Sequence, residues 1–408
     1  MSVSSFRLSL IAALLCAAAP TFGETKLPDG SGRQEVETAC GGCHELSRIA
    51  NAGYSAQDWR TVVHMMLNVG AKLPDNELST VVDYLAAHFP EKPRPQGAAI
   101  QGPAQVTFSE WAVPTPGSRP HDPFAALDGT IWYTGQMANA LGHLDPTTGR
   151  ITEYHADRPM SGPHGLVADR DGNIWFTANF GGYIGKLEPG TGKFTEYDLP
   201  DPAARDPHTP LFDQNGTLWF TVQSANMVGR LDPKTGTIKL VASPTPKSNP
   251  YGMVVTSQGV PYFCEFGANK LASIDPATMA IHEFVLPQAG SRPRRIAITP
   301  DDIIWYTDYA LGILGRFDPK TGKVTEYPSP GGPGSQPYGI TFVRGAVWYS
   351  ESGVRPNTLV RFDPASEKFQ TWLIPSGGGV ARNMMATHDG NIVMAESGVD
   401  RIALVALK

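Results

Sequence analysis

Cysteine is scarce in this chain: four in 408 residues, Cys16, Cys40, Cys43 and Cys264. Such a count excludes a fold held together by a disulfide framework. An excess of positive charge is also missing. The 33 Lys and Arg residues face 39 acids, for a formal charge of −6, so no basic surface for nucleic acid is expected. Beyond the N-terminal segment no apolar run is long enough to span a bilayer. Gly and Pro, at 43 and 36 residues, are instead abundant. They call for many turns and therefore for β-structure.

The few cysteines carry the first functional signal. Cys40-Gly41-Gly42-Cys43-His44 has the spacing of a c-type haem attachment site. Two thiols add to the two vinyl groups of one porphyrin edge, and the next residue brings its imidazole to the iron. A zinc site of this kind needs a second cysteine or histidine pair, and Cys16 and Cys264 belong to none. A thioredoxin-like dithiol needs a βαβ context that is missing here. The expectation is one covalent haem c on Cys40 and Cys43, with His44 as the proximal ligand.

The segment before this motif points the same way. Arg7, an apolar run from Leu8 to Ala19 and then small residues read as a secretory signal over residues 1–23, with cleavage at Thr21-Phe22-Gly23. Leu15 before Cys16 is too large for lipoprotein processing. Export to a bacterial periplasm fits covalent haem attachment. It implies a periplasmic redox partner and no membrane span.

Residues 24–92 read as a small helical haem domain. Gln34–Ala39 leads into the motif. Ser55 and Asp58 open a helix that runs to about Val69, with Trp59, Val62, Val63, Met66 and Leu67 on one face. A last helix runs from about Asn76 to His88 and ends at Pro90. A second axial ligand is commonly a methionine sulfur. Met65 and Met66 are the only methionines in this stretch, and His64 or a five-coordinate iron stays open as an alternative. Trp59, Met66, Gly70-Ala71 and Tyr84-Leu85 resemble the Trp helix, Gly-Ala turn and Tyr-Leu helix of small cytochrome c modules. That resemblance covers about 55 residues and implies Met66 as the distal ligand.

Residues 93–105, rich in Pro, Gly and Ala, read as an extended linker. From Val106 the chain repeats itself. Trp132, Trp175, Trp219, Tyr262, Trp305, Trp348 and Val393 share one slot at steps of 43 to 45 residues. An acid-Pro turn recurs at Asp145, Glu188, Asp232, Asp275, Asp318 and Asp363. Each unit supplies about four short antiparallel strands, so residues 106–408 predict a seven-bladed β-propeller. The last unit ends one strand short at Ile402–Leu407. Val106–Val113, with its Phe-Ser-Glu-Trp run, matches an outer strand and is expected to complete that blade. An uncapped solenoid is the weaker alternative.

The Pro-His-Gly, Asp-Gly-Asn-Ile-Trp-Phe-Thr and Asp-Pro-Lys-Thr-Gly elements make the repeat resemble the streptogramin (virginiamycin B) lyase family, over about 300 residues. The resemblance implies a propeller that opens a cyclic depsipeptide by magnesium-dependent elimination. It also implies a Glu-Pro-His element with a second Glu three residues past the Trp of the same blade. Here the matching histidines are His121, His164 and His208, after Arg119-Pro120, Gly162-Pro163 and Asp206-Pro207. Their own blades hold Gly135, Ala178 and Val222 at the Glu slot. The acids at that slot, Glu265, Asp308, Glu351 and Glu396, fall in blades that start with Tyr251, Arg294, Tyr338 and Arg382. No blade carries both parts, so the elimination is not expected to carry over.

What remains is a ring of unlike residues at equivalent slots: His121, His164, His208, Tyr251, Arg294, Tyr338 and Arg382. Such a ring can be the polar lining of a channel mouth, a metal site built from the histidines, or a seat for an anionic substrate on Arg294, Arg295 or Arg382. Three functions follow. One is a cytochrome-propeller oxidoreductase that passes electrons from a propeller-bound substrate to haem. The others are a lyase-like enzyme with a fused electron-transfer module and a non-enzymatic carrier whose propeller docks a partner.

Overall fold

The computed structural model describes residues 25–408. The expected export signal and Cys16 lie outside the described residues.

Seven four-stranded antiparallel sheets follow one another around an axis. Blade 1 runs from Pro120 to His155, and the innermost strands of the seven blades begin at Pro120, Pro163, Pro207, Pro250, Pro293, Pro337 and Ala381. The turn between the first two strands of a blade explains the Asp-Gly-Asn signature. Gly172 takes φ +81°, a conformation that favours glycine. Asp169 accepts hydrogen bonds from the Asn173 backbone N–H at 2.9 Å and from Trp175 Nε1 at 2.8 Å. Trp175 is thus tied to its own turn, as Trp219 is through Asp213 at 3.0 Å, while Nε1 of Trp305 and of Trp348 has no such partner; the rings pack between blades. The core is divided by blade interface. Trp132 and Leu141 of blade 1, for example, pack on Leu166, Ile174, Phe176 and Tyr183 of blade 2.

The ring closes as its sequence predicts. Val106–Ala112 pairs antiparallel with Arg401–Leu407, Val106 opposite Leu407 and Ala112 opposite Arg401. It is the outermost strand of blade 7. The seam buries an acid. Glu396 ends the neighbouring strand, where the Ser376 hydroxyl donates to it at 2.7 Å. Burial, followed by the nearby Glu110 of the closing strand, outweighs that hydrogen bond and pushes its carboxyl up to about 8. The folded chain therefore holds a proton that the unfolded chain, with an ordinary value of 4.5, releases sooner. Stability contributed by this group is complete below about 4.5 and is lost as pH rises to about 8. Compared with Glu396→Gln, the wild type is expected to lose unfolding free energy steadily across that window and to level off above it. Denaturant melts of both proteins at several pH values check this, and parallel pH profiles would contradict it.

Among the described residues four α-helices precede the propeller: α1 (Arg33–Cys40), α2 (Ser47–Ala50), α3 (Ala56–Asn68) and α4 (Leu78–His88). Ser55 caps α3, its hydroxyl accepting from the Asp58 backbone N–H at 3.1 Å. Leu27, Val36, Ile49, Trp59, Val63, Val81, Val82, Tyr84, Leu85 and Phe89 form the helices' common core. Trp59 Nε1 donates to the Phe89 carbonyl at 2.8 Å, which ties α3 to the end of α4. Among the described residues no helix is long and apolar enough to cross a membrane.

The Pro-rich connection is extended but not loose. Pro95 O accepts from Arg355 N at 2.9 Å, and Ile100 exchanges backbone hydrogen bonds with Thr371 of blade 6 at 3.0 and 3.2 Å. Arg355 also reaches α3, pairing with Asp58 at 2.9 Å. These contacts hold α3 over the propeller, where Gly117 of the loop before blade 1 lies against His64 and Met65.

Candidate functional site

The helices frame an apolar cavity of about 230 Å³. Cys40 and His44 line one side, and Trp59, Val63, Met66, Leu67, Val81 and Leu85 line the rest. Cys40 is the last residue of α1 and Cys43 is exposed in the turn that follows. Burial pushes the Cys40 thiol up, with Cys43 adding to the effect. Cys43 and His44 face an adjoining open groove of about 1180 Å³. One imidazole, one thiol and a methionine thus line the apolar cavity, and the second thiol lies in the groove that shares His44 with it. That donor set and its apolar walls fit a covalently attached haem.

Helix phase separates the candidate distal ligands. Successive residues of α3 point about 100° apart. Met66 lines the apolar cavity, whereas Met65 lines a different cleft against the propeller. His64 is on the propeller side too, beside Gly117.

The propeller channel is the second cluster. Two of its three histidines, and Tyr251 after them, are set by the Thr of the Trp-Phe-Thr and Trp-Tyr-Thr elements. Thr134, Thr177 and Thr221 donate through Oγ1 to the carbonyls of His164, His208 and Tyr251 in the next blade, at 2.6, 2.7 and 2.8 Å. Each also accepts a backbone N–H of its own inner strand. A residue type repeated for blade-to-blade bonding therefore also fixes the backbone of the channel ring.

His121, His164, His208 and Tyr251 stack in order around the channel, with ring centroids 3.6, 3.8 and 3.8 Å apart. Tyr251 and Tyr338 meet hydroxyl to hydroxyl at 2.5 Å. Arg294 sits against aromatic faces, 3.9 Å from the Tyr338 centroid and 4.3 Å from Tyr309. Arg382 stands 5.9 Å from the Tyr338 ring. The ring residues named from the repeat thus meet at one end of the channel.

Arg295 was named from the sequence as an anion seat, but its partner, Asp122, was not legible in the repeat. Asp122 and Arg295 form a buried ion pair across the channel, with contacts of 2.6 and 3.2 Å, and Asp122 also lies 2.9 Å from His121 Nδ1. Pairing between blades 1 and 5 has no counterpart in a repeat that records only neighbouring blades. Burial is the main reason all three imidazoles fall far below their ordinary value, with the surrounding guanidiniums and imidazoles adding to it. They are neutral, as metal ligands must be. His121, Asp122 and His164 bring one ligand atom each within 4.8 Å of one another. Charge opposes a cation there, because Arg295 already engages the one carboxylate of the group. The donor set fits a metal in spacing but not in electrostatics.

The four acids at the slot past the Trp lie elsewhere. Glu351 accepts from Ser329, Gly331 N and Thr358, each at 2.6 Å. Asp308 accepts the backbone N–H groups of Arg292, Ala310 and Leu311 at 3.0–3.1 Å. Glu265 accepts from Ser243, and Glu396 from Ser376. They anchor loops between strands and do not join the histidines. Cys264 is fully buried, and burial pushes its thiol well up, so it is a packing residue.

The sequence profile of the virginiamycin B lyase family matches residues 101–264 and 170–408. The chain belongs to the virginiamycin B lyase family. A solved streptogramin B lyase shares 28% identity over 74% of this chain and 98% of its own, with a TM-score of 0.68. Virginiamycin B lyase from Staphylococcus aureus shares 25%, over 74% and 99% of the two chains, also at 0.68. A catalytically inactive variant of the same enzyme, solved with quinupristin, aligns equally well at 0.68 and 25% identity. A comparison with curated proteins returns no match. The family match starts at residue 101, so the helices and the Cys40–His44 motif are additions to the virginiamycin B lyase propeller.

Proposed function

We propose that this chain is a periplasmic c-type haem protein of electron transfer, in which a lyase-family propeller binds the substrate or partner whose electrons pass to the haem. What carries the reading is that Cys40, His44 and Met66 line one apolar cavity. Cys40 and Cys43 hold the cofactor, His44 and Met66 bind its iron, and Trp59, Val81 and Leu85 exclude water from its face. Haem bound there supplies a one-electron carrier. Helix α3 bears Met66 on one face and meets the propeller with His64 and Met65 on the other, so it separates cofactor from channel by a single helix.

Family membership favours a second reading, an eliminating lyase. That chemistry needs a metal-bound carboxylate and a general base within reach of one proton. In this chain the slot acids are committed to loops, and the carboxylate nearest the histidines, Asp122, is paired with Arg295. With magnesium present, purified protein is expected to leave quinupristin unopened even after long incubation. His121→Ala, His164→Ala and His208→Ala are each expected to slow reduction of the haem by a donor several-fold without removing it. Ring opening by the wild type that disappears in His208→Ala would reverse the ranking of the two readings. Reduction at wild-type rate in all three variants would remove the histidines from the site. Anaerobic mixing with candidate donors, followed by visible absorbance, reads the redox outcome, and mass spectrometry of the depsipeptide reads the other.

A further inference from the structure

Three guanidiniums gather at the channel mouth, and among the described residues none of them is paired with a carboxylate; the neighbouring Asp400 accepts the backbone N–H groups of Gly117 and Arg119 at 2.7 and 2.9 Å. Arg119 precedes the inner strand of blade 1, Arg382 lies on that of blade 7 and Arg294 on that of blade 5. Arg295, deeper in, has Asp122. Among the described residues the other three make no ion pair, and the Nε atoms of Arg294 and Arg382 are buried without a hydrogen-bond partner.

Arg119 and Arg382 open into a cleft of about 200 Å³ between α3 and the propeller, which Arg94 and Arg355 also line. The one acid of that lining, Asp58, is taken by Arg355 at 2.9 Å. Gly379 and Gly398 form part of the wall, and their backbones pass too closely for a side chain on either. The space is small, walled and positively charged.

Repulsion by Arg382, then burial, lowers the hold of Arg119 on its proton to about 9. A guanidinium nevertheless stays charged near neutrality, so the compensation must come from a negative group. The phenol beside Arg294 and Arg382, Tyr338, has its hydroxyl engaged with that of Tyr251 at 2.5 Å; burial pushes it up, but Arg294, Arg382 and Arg295 outweigh burial and bring it down.

We propose that this cleft is a binding site for a small oxyanion, held by the guanidiniums of Arg119 and Arg382. Planar guanidiniums match the paired oxygens of a phosphate, sulfate or carboxylate group. A lone halide would use only part of the donor set. The site is lined by Met65, one residue along α3 from Met66, so the ligand lies across that helix from the apolar cavity. Binding does not require the haem reading to hold and is measured without reference to it.

The test is calorimetric titration of the full chain with inorganic phosphate, and separately with sulfate and acetate, in a zwitterionic buffer free of other oxyanions. Saturable one-to-one binding of at least one of them is expected. Arg119→Gln and Arg382→Gln should each weaken it at least tenfold, Arg119→Lys should weaken it less, and Arg150→Gln, exposed on an outer strand, should leave it unchanged. The oxyanion should raise the melting temperature of the wild type but not of the two glutamine variants. Without oxyanion those variants should melt no lower than wild type, since each removes an unbalanced charge. No saturable heat, wild-type affinity in both glutamine variants, or a loss of several degrees in their oxyanion-free melting would each overturn the proposal.

Discussion

Cys40→Ala/Cys43→Ala protein is expected to carry no haem after denaturation, and its helical segment is expected to melt well before the propeller. The first half follows from thioether chemistry, because no other described cysteine lies in the helical segment to hold the porphyrin. The second half follows from packing. The core around Trp59, Val63, Val81 and Leu85 encloses part of a cavity of about 230 Å³. A sealed apolar void of that size would cost on the order of 5 kcal/mol, at ~24 cal/mol per Å³. Water entering from the open groove lowers that cost but leaves apolar walls wet. A segment of this length buries too little surface to absorb such a loss. Calorimetry should therefore show one cooperative transition in the wild type and an early, separate transition in the variant. Retention of covalent haem would contradict attachment at Cys40 and Cys43, and an unchanged melting profile after haem loss would contradict the role of haem in the packing.

Met66→Leu is expected to lower the haem potential on the order of 0.2 V, a fraction of the ~0.8 V that axial ligands span. It should also abolish any sulfur-to-iron charge-transfer absorption. Leucine keeps the volume and the apolar face, so the loss isolates the sulfur. Met65→Leu should change neither, because its side chain lines the cleft facing Arg119 and Arg382 and not the cavity that Cys40 and His44 share. Potentiometric titration of the two variants beside the wild type decides the matter. The reverse pattern would give the iron to Met65, and no shift in either would leave His64 or a five-coordinate iron.

What the sequence made legible is local or periodic. The Trp slot and the acid-Pro turns recur because every blade solves the same interface, so seven sheets and the closing strand Val106–Ala112 could be read in advance. Ser55 announces α3 because a cap acts within one turn. The histidines His121, His164 and His208 could be brought together because equivalent slots converge on one axis. What stayed hidden depends on parts far apart in the chain. The Asp122–Arg295 pair joins blades that the repeat never sets side by side. The docking of α3 rests on Arg355, Asp58 and a connection whose composition reads as a spacer. Arg119 looks like one more loop residue until the ring closes and brings Arg382 opposite. The slot acids could be set apart from the histidines because their position repeats in other blades, but that they accept hydrogen bonds from Ser243, Ser329 and Ser376 and serve loops depends on contacts the repeat does not record.

Whether the helical segment is a haem domain added to a lyase-family propeller is decided by the intact mass of the wild-type protein, exported by a host that attaches haem and then fully denatured. The expected mass is that of the mature chain plus one haem, with the addition mapped to the peptide that contains Cys40, Cys43 and His44. A chain of unmodified mass with both thiols free to alkylation would contradict it.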